Sequence, residues 1–187
     1  MFYKIWKIIV EFITIFICNK EKKHRVRLFL RHYWSWLYVK KRAAYFGKDA
    51  RCGLKMHVTK KTIIKDNASI GSAIILGSGK FELGEYTSTG DELLVLTDNH
   101  NYNGTKLPYD ATVVEKEVIV GKYCWLGARV TLLTGTTIGD GAIIQAGAVV
   151  HGNIPPLAIV GGNPAKVFKY RDSEHYEKLI AEKQFFN

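Results

Sequence analysis

An apolar residue returns every six positions along the C-terminal half of the chain: Val120, Leu126, Leu132, Ile138, Ile144 and Val150. Two places before each stand Val118, Cys124, Val130, Thr136, Ala142 and Ala148, all apolar or small, and Gly121, Gly127 and Gly139 follow their lead residues. The rhythm is also present upstream, in Cys52, Val58, Ile64, Ile70 and Leu76, preceded two back by Ala50, Met56, Thr62, Ala68 and Ile74. A period of six is neither the 3.6 of a helix nor the 2 of a simple strand. It reads as short strand, turn, short strand, turn, with the lead residue and the one two before it on the same, inward side. Gly53, Gly71, Gly77, Gly121, Gly127 and Gly139 then fall at turns, where a glycine permits unusual backbone conformations. No single unit can bury its own apolar face, so coils must stack at about the inter-strand spacing of 4.8 Å. Near Leu83–Gly84 the register moves by one. The spacing predicts an all-β, parallel β-helical prism over residues 49–171.

The rhythm stops over residues 97–117, a polar loop that includes "LTDNHNYNGTKLPYD" and carries His100 near its start. A loop of this length inside a regular array is a functional candidate. After Arg171, "DSEHYEKLIAEKQFF" reads as a short helix capped by Asp172 or Ser173, with Tyr176, Leu179, Ile180 and Lys183 on one face. It is expected to cover the open end of the prism.

The net charge of +10 lies wholly in residues 1–48, which hold twelve Lys/Arg and two Glu, while residues 49–187 hold fifteen of each sign. Residues 2–18, "FYKIWKIIVEFITIFIC", are apolar but short and interrupted by Lys4, Lys7 and Glu11, which suits neither a bilayer span nor a cleavable leader. Basic residues then alternate with Tyr33, Trp34, Trp36 and Tyr38, the composition of a helix at an anionic membrane surface. Packing on the body with a solvated charged face is the plain alternative. No nucleic-acid-binding module is recognisable. The odd set Cys18, Cys52 and Cys124 is no disulfide framework and fits a reducing, cytoplasmic setting.

Residues 120–172, "VGKYCWLGARVTLLTGTTIGDGAIIQAGAVVHGNIPPLAIVGGNPAKVFKYRD", resemble the closing coils of the hexapeptide-repeat acetyltransferases, sugar and polysaccharide O-acetyltransferases of the maltose and galactoside type. The "GGNPAKVFKYR" tail and "CWLGA" carry the likeness, which extends over about residues 50–172. The resemblance implies a left-handed β-helix, a homotrimer with active sites in the grooves between neighbours, acetyl-CoA as acyl donor, no metal, and a loop histidine, here His100, as base. By resemblance and charge, Lys166, Lys169 and Arg171 would meet the CoA phosphates, although a solvated basic turn has the same composition. Gly127, Ala128 and Ala146 would let CoA run close to the backbone, or serve only the turns. Trp125 points outward and wants a partner in the pantetheine arm, the acceptor sugar or the adjacent subunit.

Acyl transfer to a sugar hydroxyl needs that hydroxyl deprotonated as it attacks. An ordinary imidazole titrates near about 6.5 and is available as a base near neutrality. Backbone N–H donors lining the groove would stabilise the oxyanion. Asp98 or Asn99 could orient the ring or could equally be turn residues. Cys52 and Cys124 occupy inward positions, which argues against a covalent thiol mechanism. His24 and His32 lie in the basic segment. His57 points outward, His151 follows a lead residue and would border the CoA groove, and His175 is in the tail. No His pair has the spacing of the zinc-dependent relatives of this fold. The expected activity is O-acetylation of a glycan or a lipid-linked precursor, as in capsule or lipopolysaccharide assembly, at the inner face of the membrane. The rivals are another donor such as an acyl-carrier protein, another acceptor such as an amino sugar or antibiotic, and a non-catalytic scaffold.

Overall fold

A computed structural model describes residues 20–186, with side chains in the first helix described from His24 onward. Residues 2–18, and Cys18 with them, lie outside the described residues.

The six-residue units wind into a parallel β-helix of three faces. The first face stacks Tyr45–Phe46, Thr62–Ile64, Phe81–Leu83, Val118–Val120, Thr137–Ile138 and Asn153–Ile154. The second stacks Arg51–Cys52, Ser69–Ile70, Ser88–Thr89, Trp125–Leu126, Ile143–Ile144 and Ala158–Gly162. The third stacks Ala73–Leu76, Leu93–Leu96, Thr131–Leu132 and Val149–Val150, with His57 bridged to Ile74 at its start. Inward residues sit over one another along each face. Leu83 pairs with Val120 and Val120 with Ile138. Thr89 pairs with Leu126 and Leu126 with Ile144. Val95 pairs with Leu132 and Leu132 with Val150. The result is one continuous core in which Val58, Ile64, Ile70, Leu126, Leu132, Ile138, Ile144 and Val150 are all buried.

One inward assignment fails. Leu76 and Ile74 face outward, 42% and 49% exposed, while Ile75 and Ala73 are fully buried. The register therefore moves twice: it loses one residue between Ile70 and Ile75 and gains two between Ile75 and Leu83, the second being the change expected near Leu83. Most corner turns of the second-to-third corner place the third residue after the lead in the left-handed region, as at Lys55, Glu92, Arg129 and Gly147. The Gly71–Ser72 turn has no such residue. It is one residue shorter, held by the Asp91 carboxylate, which accepts from the Ser72 N–H at 2.8 Å. Ile75 then falls into line with Val95.

The glycines that follow lead residues also act differently from expectation. Gly121, Gly127 and Gly139 do not have positive φ. They are small because the next coil lies directly on them: a Cβ on Gly127 would sit 2.5 Å from the Ala146 nitrogen, and one on Gly139 would sit 2.5 Å from the Pro156 nitrogen. Left-handed backbone is carried instead by the third residue after the lead, including Tyr86 and Tyr123.

Helix α1, Lys20–Arg42, meets the N-terminal end of the prism. Val39 is fully buried, the Ser35 hydroxyl donates to the Gly53 carbonyl at 2.7 Å, and Arg42 Nε donates to the Val58 carbonyl at 2.8 Å. At the other end Ala165–Tyr170 folds back antiparallel on Ala158–Gly162 and covers the edge of the second face. Helix α2, Ser173–Ala181, is capped by Asp172, whose carboxylate accepts from the His175 N–H at 2.9 Å. It does not lie over the end of the prism. It runs back along the corner between the first and second faces, so that Tyr176 approaches Gly141 and, just beyond the helix, Phe185 stacks on Tyr123 and meets Tyr86 at a tilt. Among the described residues no helix is long and apolar enough to cross a membrane.

Candidate active site

The chain leaves the prism after the third face and returns at the first, so residues 97–117 project from the corner between those faces. The stem is a two-stranded hairpin in which Asp98, Asn99 and His100 pair with Glu115, Val114 and Val113. Its base is closed by the Lys116 N–H donating to the Thr97 carbonyl at 3.0 Å. Thr97 is fully buried and its hydroxyl donates to the Leu76 carbonyl at 2.9 Å, which anchors the point of departure.

Neither Asp98 nor Asn99 orients the histidine. The Asp98 carboxylate turns back to accept from the Ser78 N–H and hydroxyl at 2.8 and 2.9 Å. The His100 ring instead stacks on Tyr109, with centroids 3.9 Å apart and planes 9° from parallel. That contact was not legible in the sequence, because a loop has no periodicity to place one ring on another. It leaves the exposed imidazole edge open to the surroundings.

Asp110 organises the tip that presents Tyr109. Its carboxylate accepts from the Thr105 and Thr112 N–H groups, both at 2.9 Å, and from the Thr112 hydroxyl. These donors, the Thr112 hydroxyl foremost, bring its pKa down from 3.8 to about 2. A carboxylate that titrates lower in the folded loop than in an open chain contributes fully above its unfolded pKa. That contribution is lost as the pH falls through about 2. The Thr105 and Thr112 amide signals in NMR are expected to hold their shifts down to about pH 4 and to move with a midpoint near 2. Asp110→Asn should abolish that transition. A transition that survives in this variant would place the titrating group elsewhere.

The corner between the second and third faces holds a groove of about 650 Å³, lined by Trp125, Gly127, Ala128, Gln145 and Ala146, with Gly90 and Ile159 at its ends. Four of the predicted site residues thus come together. Gly127 is required by coil stacking, and the shallow floor it leaves with Ala128 and Ala146 is a consequence of that stacking. Trp125 is 60% exposed and forms one wall. Gly90 lines this groove and the adjoining Asp91 lines a polar hollow of about 390 Å³, with His32, Gly53, Lys55, Ser72 and Glu92. Groove and hollow follow one another along this corner as a two-part channel, the groove lined mainly by apolar and small residues toward the C-terminal coils, the hollow by charged and polar side chains toward the N-terminal ones.

The basic tail divides. Lys166 pairs opposite Gly161, and Lys169 opposite Ile159, which lines the groove. Arg171 is engaged elsewhere: its Nη1 donates to the Gly141 carbonyl at 3.1 Å and its guanidinium lies 5.1 Å from the Tyr176 ring. It belongs to a hollow of about 440 Å³ between α2 and the prism, lined by Tyr86, Tyr123, Tyr176 and Phe185. Sequence reasoning missed this aromatic hollow; Tyr86 and Tyr123 both occupy the left-handed turn position, and that shared offset was the available signal.

The remaining candidates fall where expected or apart from the groove. Cys124 is buried, and burial pushes its thiol up to about 11; its Sγ donates to the Gly139 carbonyl at 3.2 Å. Cys52 is half-buried and its thiol is likewise raised by burial. Neither is an available nucleophile. His57, His151 and His175 are exposed.

Residues 117–152 match the family model described as bacterial transferase hexapeptide (six repeats). That match spans 36 of the 187 residues and identifies the hexapeptide repeat in this chain. Among the relatives of this chain is WbbJ of Escherichia coli, named a lipopolysaccharide biosynthesis O-acetyl transferase. It is 29% identical over 133 residues, 65% of this chain and 68% of that one. WcaF of Escherichia coli, named a colanic acid biosynthesis acetyltransferase, is 27% identical over 161 residues, 84% of this chain and 82% of that one. In fold the chain is similar to a hexapeptide-repeat-containing acetyltransferase of Vibrio cholerae solved in complex with acetyl coenzyme A. The TM-score is 0.63 at 19% identity, over 78% of this chain and 85% of that one.

Proposed function

We propose that the chain is an O-acetyltransferase that moves an acetyl group from acetyl-CoA to a hydroxyl of a sugar or lipid-linked polysaccharide precursor. The observation that carries this reading is the channel along the second-to-third corner. Its apolar end, with Trp125 as a wall and Gly127, Ala128 and Ala146 as a floor, suits a slender pantetheine arm. Lys169 and Lys166 stand beyond it, where a phosphate would be met by charge. The polar end, with His32, Ser72, Asp91 and Glu92, offers donors and acceptors to a hydroxyl-rich acceptor.

His100 is proposed as the base that takes the proton from that hydroxyl as it attacks the thioester carbonyl. In one chain the His100 hairpin and the channel leave from different corners of the prism. A site containing both is completed by a second copy, which supports a homotrimer with the hairpin of each chain reaching the channel of its neighbour. The same reading places the protein peripherally at the inner face of the membrane, held through residues 1–45, where a lipid-linked acceptor is presented.

Acetyl-CoA binding by calorimetry tests the donor half without knowledge of the acceptor. The expected result is micromolar-range affinity, weakened roughly ten- to a hundredfold by Lys166→Ala through loss of one charge-assisted contact, which is worth about 1.5–3 kcal/mol. A folded protein with no affinity for acetyl-CoA would overturn the reading.

A further inference from the structure

The charges of the prism and those of α1 are disposed differently. Every ion pair among the described residues joins two residues beyond Lys60: Lys61–Glu115, Lys65–Glu82, Lys80 with Glu82 and Glu117, Lys122–Glu85, Arg129–Glu92 and Lys178–Glu182. Helix α1 has nine Lys/Arg against one Glu in its sequence. Among the described residues none of its cations has a carboxylate partner. Arg42 is used on the Val58 carbonyl and Lys40 lies 4.7 Å over the Trp36 ring. Arg25, Arg27, Arg31 and Lys41 are exposed and carry neither kind of contact, and the last three share one side of the helix.

These three are not scattered. Arg27, Arg31, Trp34, Tyr38 and Lys41 follow a spacing of four, three, four and three, which places them along one side of the helix. Val39 and Ser35, which hold α1 on the prism, lie on another side. All five residues of the stripe are exposed, Tyr38 by 38%. Trp34 meets the Tyr33 ring edge-on at 6.0 Å. The stripe thus has cations at its ends and aromatic rings between them. Lys/Arg with Trp/Tyr is the combination that settles at the headgroup level of a bilayer, where rings bridge the apolar and wet zones and cations meet anionic lipid.

We propose that the stripe Arg27–Arg31–Tyr38–Lys41 on α1 is a docking surface for an anionic lipid bilayer. The inference deepens the peripheral placement proposed above by assigning it to described residues of α1 rather than to the apolar segment before it. It does not depend on the acetyltransferase reading, since it rests on charge and exposure alone. Because α1 meets the N-terminal end of the prism, docking turns that end, and with it the polar end of the channel, toward the lipid.

Cosedimentation of the full chain with vesicles of phosphatidylcholine containing phosphatidylglycerol, against vesicles of phosphatidylcholine alone, tests it. Binding to the anionic vesicles only is expected, weakening as salt is raised. Arg27→Gln, Arg31→Gln and Lys41→Gln together should weaken partitioning about a hundredfold, since each basic residue near an anionic surface contributes about 1 kcal/mol. The control removes the same charge from the prism and α2, away from both hairpin and channel, by Lys65→Gln, Lys122→Gln and Lys178→Gln, and should bind as the parent does. Acetyl-CoA affinity, measured in parallel, should be the same in all three proteins, so that failure of docking and failure of the donor reading are told apart. No binding to anionic vesicles, equal binding by the stripe variant and the parent, or equal weakening by the control would overturn the proposal. So would salt-sensitive binding of a single-stranded RNA by a protein that ignores the vesicles.

Discussion

His100→Ala is expected to lower turnover by about 10²–10⁴, the usual contribution of a general base, while leaving acetyl-CoA affinity unchanged. The separation follows from the fold. The histidine stands on a hairpin whose stem is paired only with itself, Asp98–His100 against Val113–Glu115, and whose tip is ordered by Asp110. Neither strand of the stem pairs with a strand of the prism, so removal of the imidazole leaves the prism and its channel as they were. The decisive comparison is turnover against donor affinity in the same preparation, with an acceptor taken from a glycan screen. A variant that turns over as fast as the parent would make His100 an ordinary loop residue. A variant that loses acetyl-CoA affinity instead would move it into the donor site.

Ile75→Ala should destabilise the protein by about 2–5 kcal/mol, as truncation of a fully buried Ile does. Leu76→Ala should stay within about 0.5 kcal/mol, as substitutions on an exposed surface do. The two neighbours are both large, aliphatic and in the same strand, Ala73–Leu76, so only the side on which each stands distinguishes them. Ile75 is fully buried over Val95, and Leu76 is 42% exposed. Chemical denaturation of both variants measures the contrast. Equal losses, or the larger loss at Leu76, would restore an unbroken six-residue register through the second coil.

That contrast also shows where the sequence could be read and where it could not. Ten of the eleven lead residues stand inward or half-inward because an isolated apolar residue among polar ones has a single way to face. At Ala73-Ile74-Ile75-Leu76 every residue is apolar, so both registers look equally good, and the deciding feature is a turn shortened by one residue. Gly127 was legible as a special position, but its reason was not. Close stacking on Ala146 and a left-handed turn both select glycine, and only the path of the neighbouring coil separates them. The groove residues Trp125, Gly127, Ala128 and Ala146 inherit their places from the repeat and were found with it. Arg171 was not, since a basic residue three beyond Phe168 looks the same whether it meets a phosphate or the Gly141 carbonyl. The Tyr109 stack on His100 depends on a loop path that no pattern encodes.

The closure of the prism behind the hairpin has a further consequence. Leu83 stacks directly on Val120 and Val95 directly on Leu132, and the two ends of the excursion meet through one hydrogen bond between Lys116 and Thr97. The core is therefore the same object whether twenty residues or five are spliced in at that joint, and the entropy of closing the joint changes only slowly with loop length. A chain built this way can exchange the side chains that this loop presents by insertion and deletion at one point while its stability is held by residues elsewhere. What the loop presents and how the prism folds are thereby free to vary as separate characters.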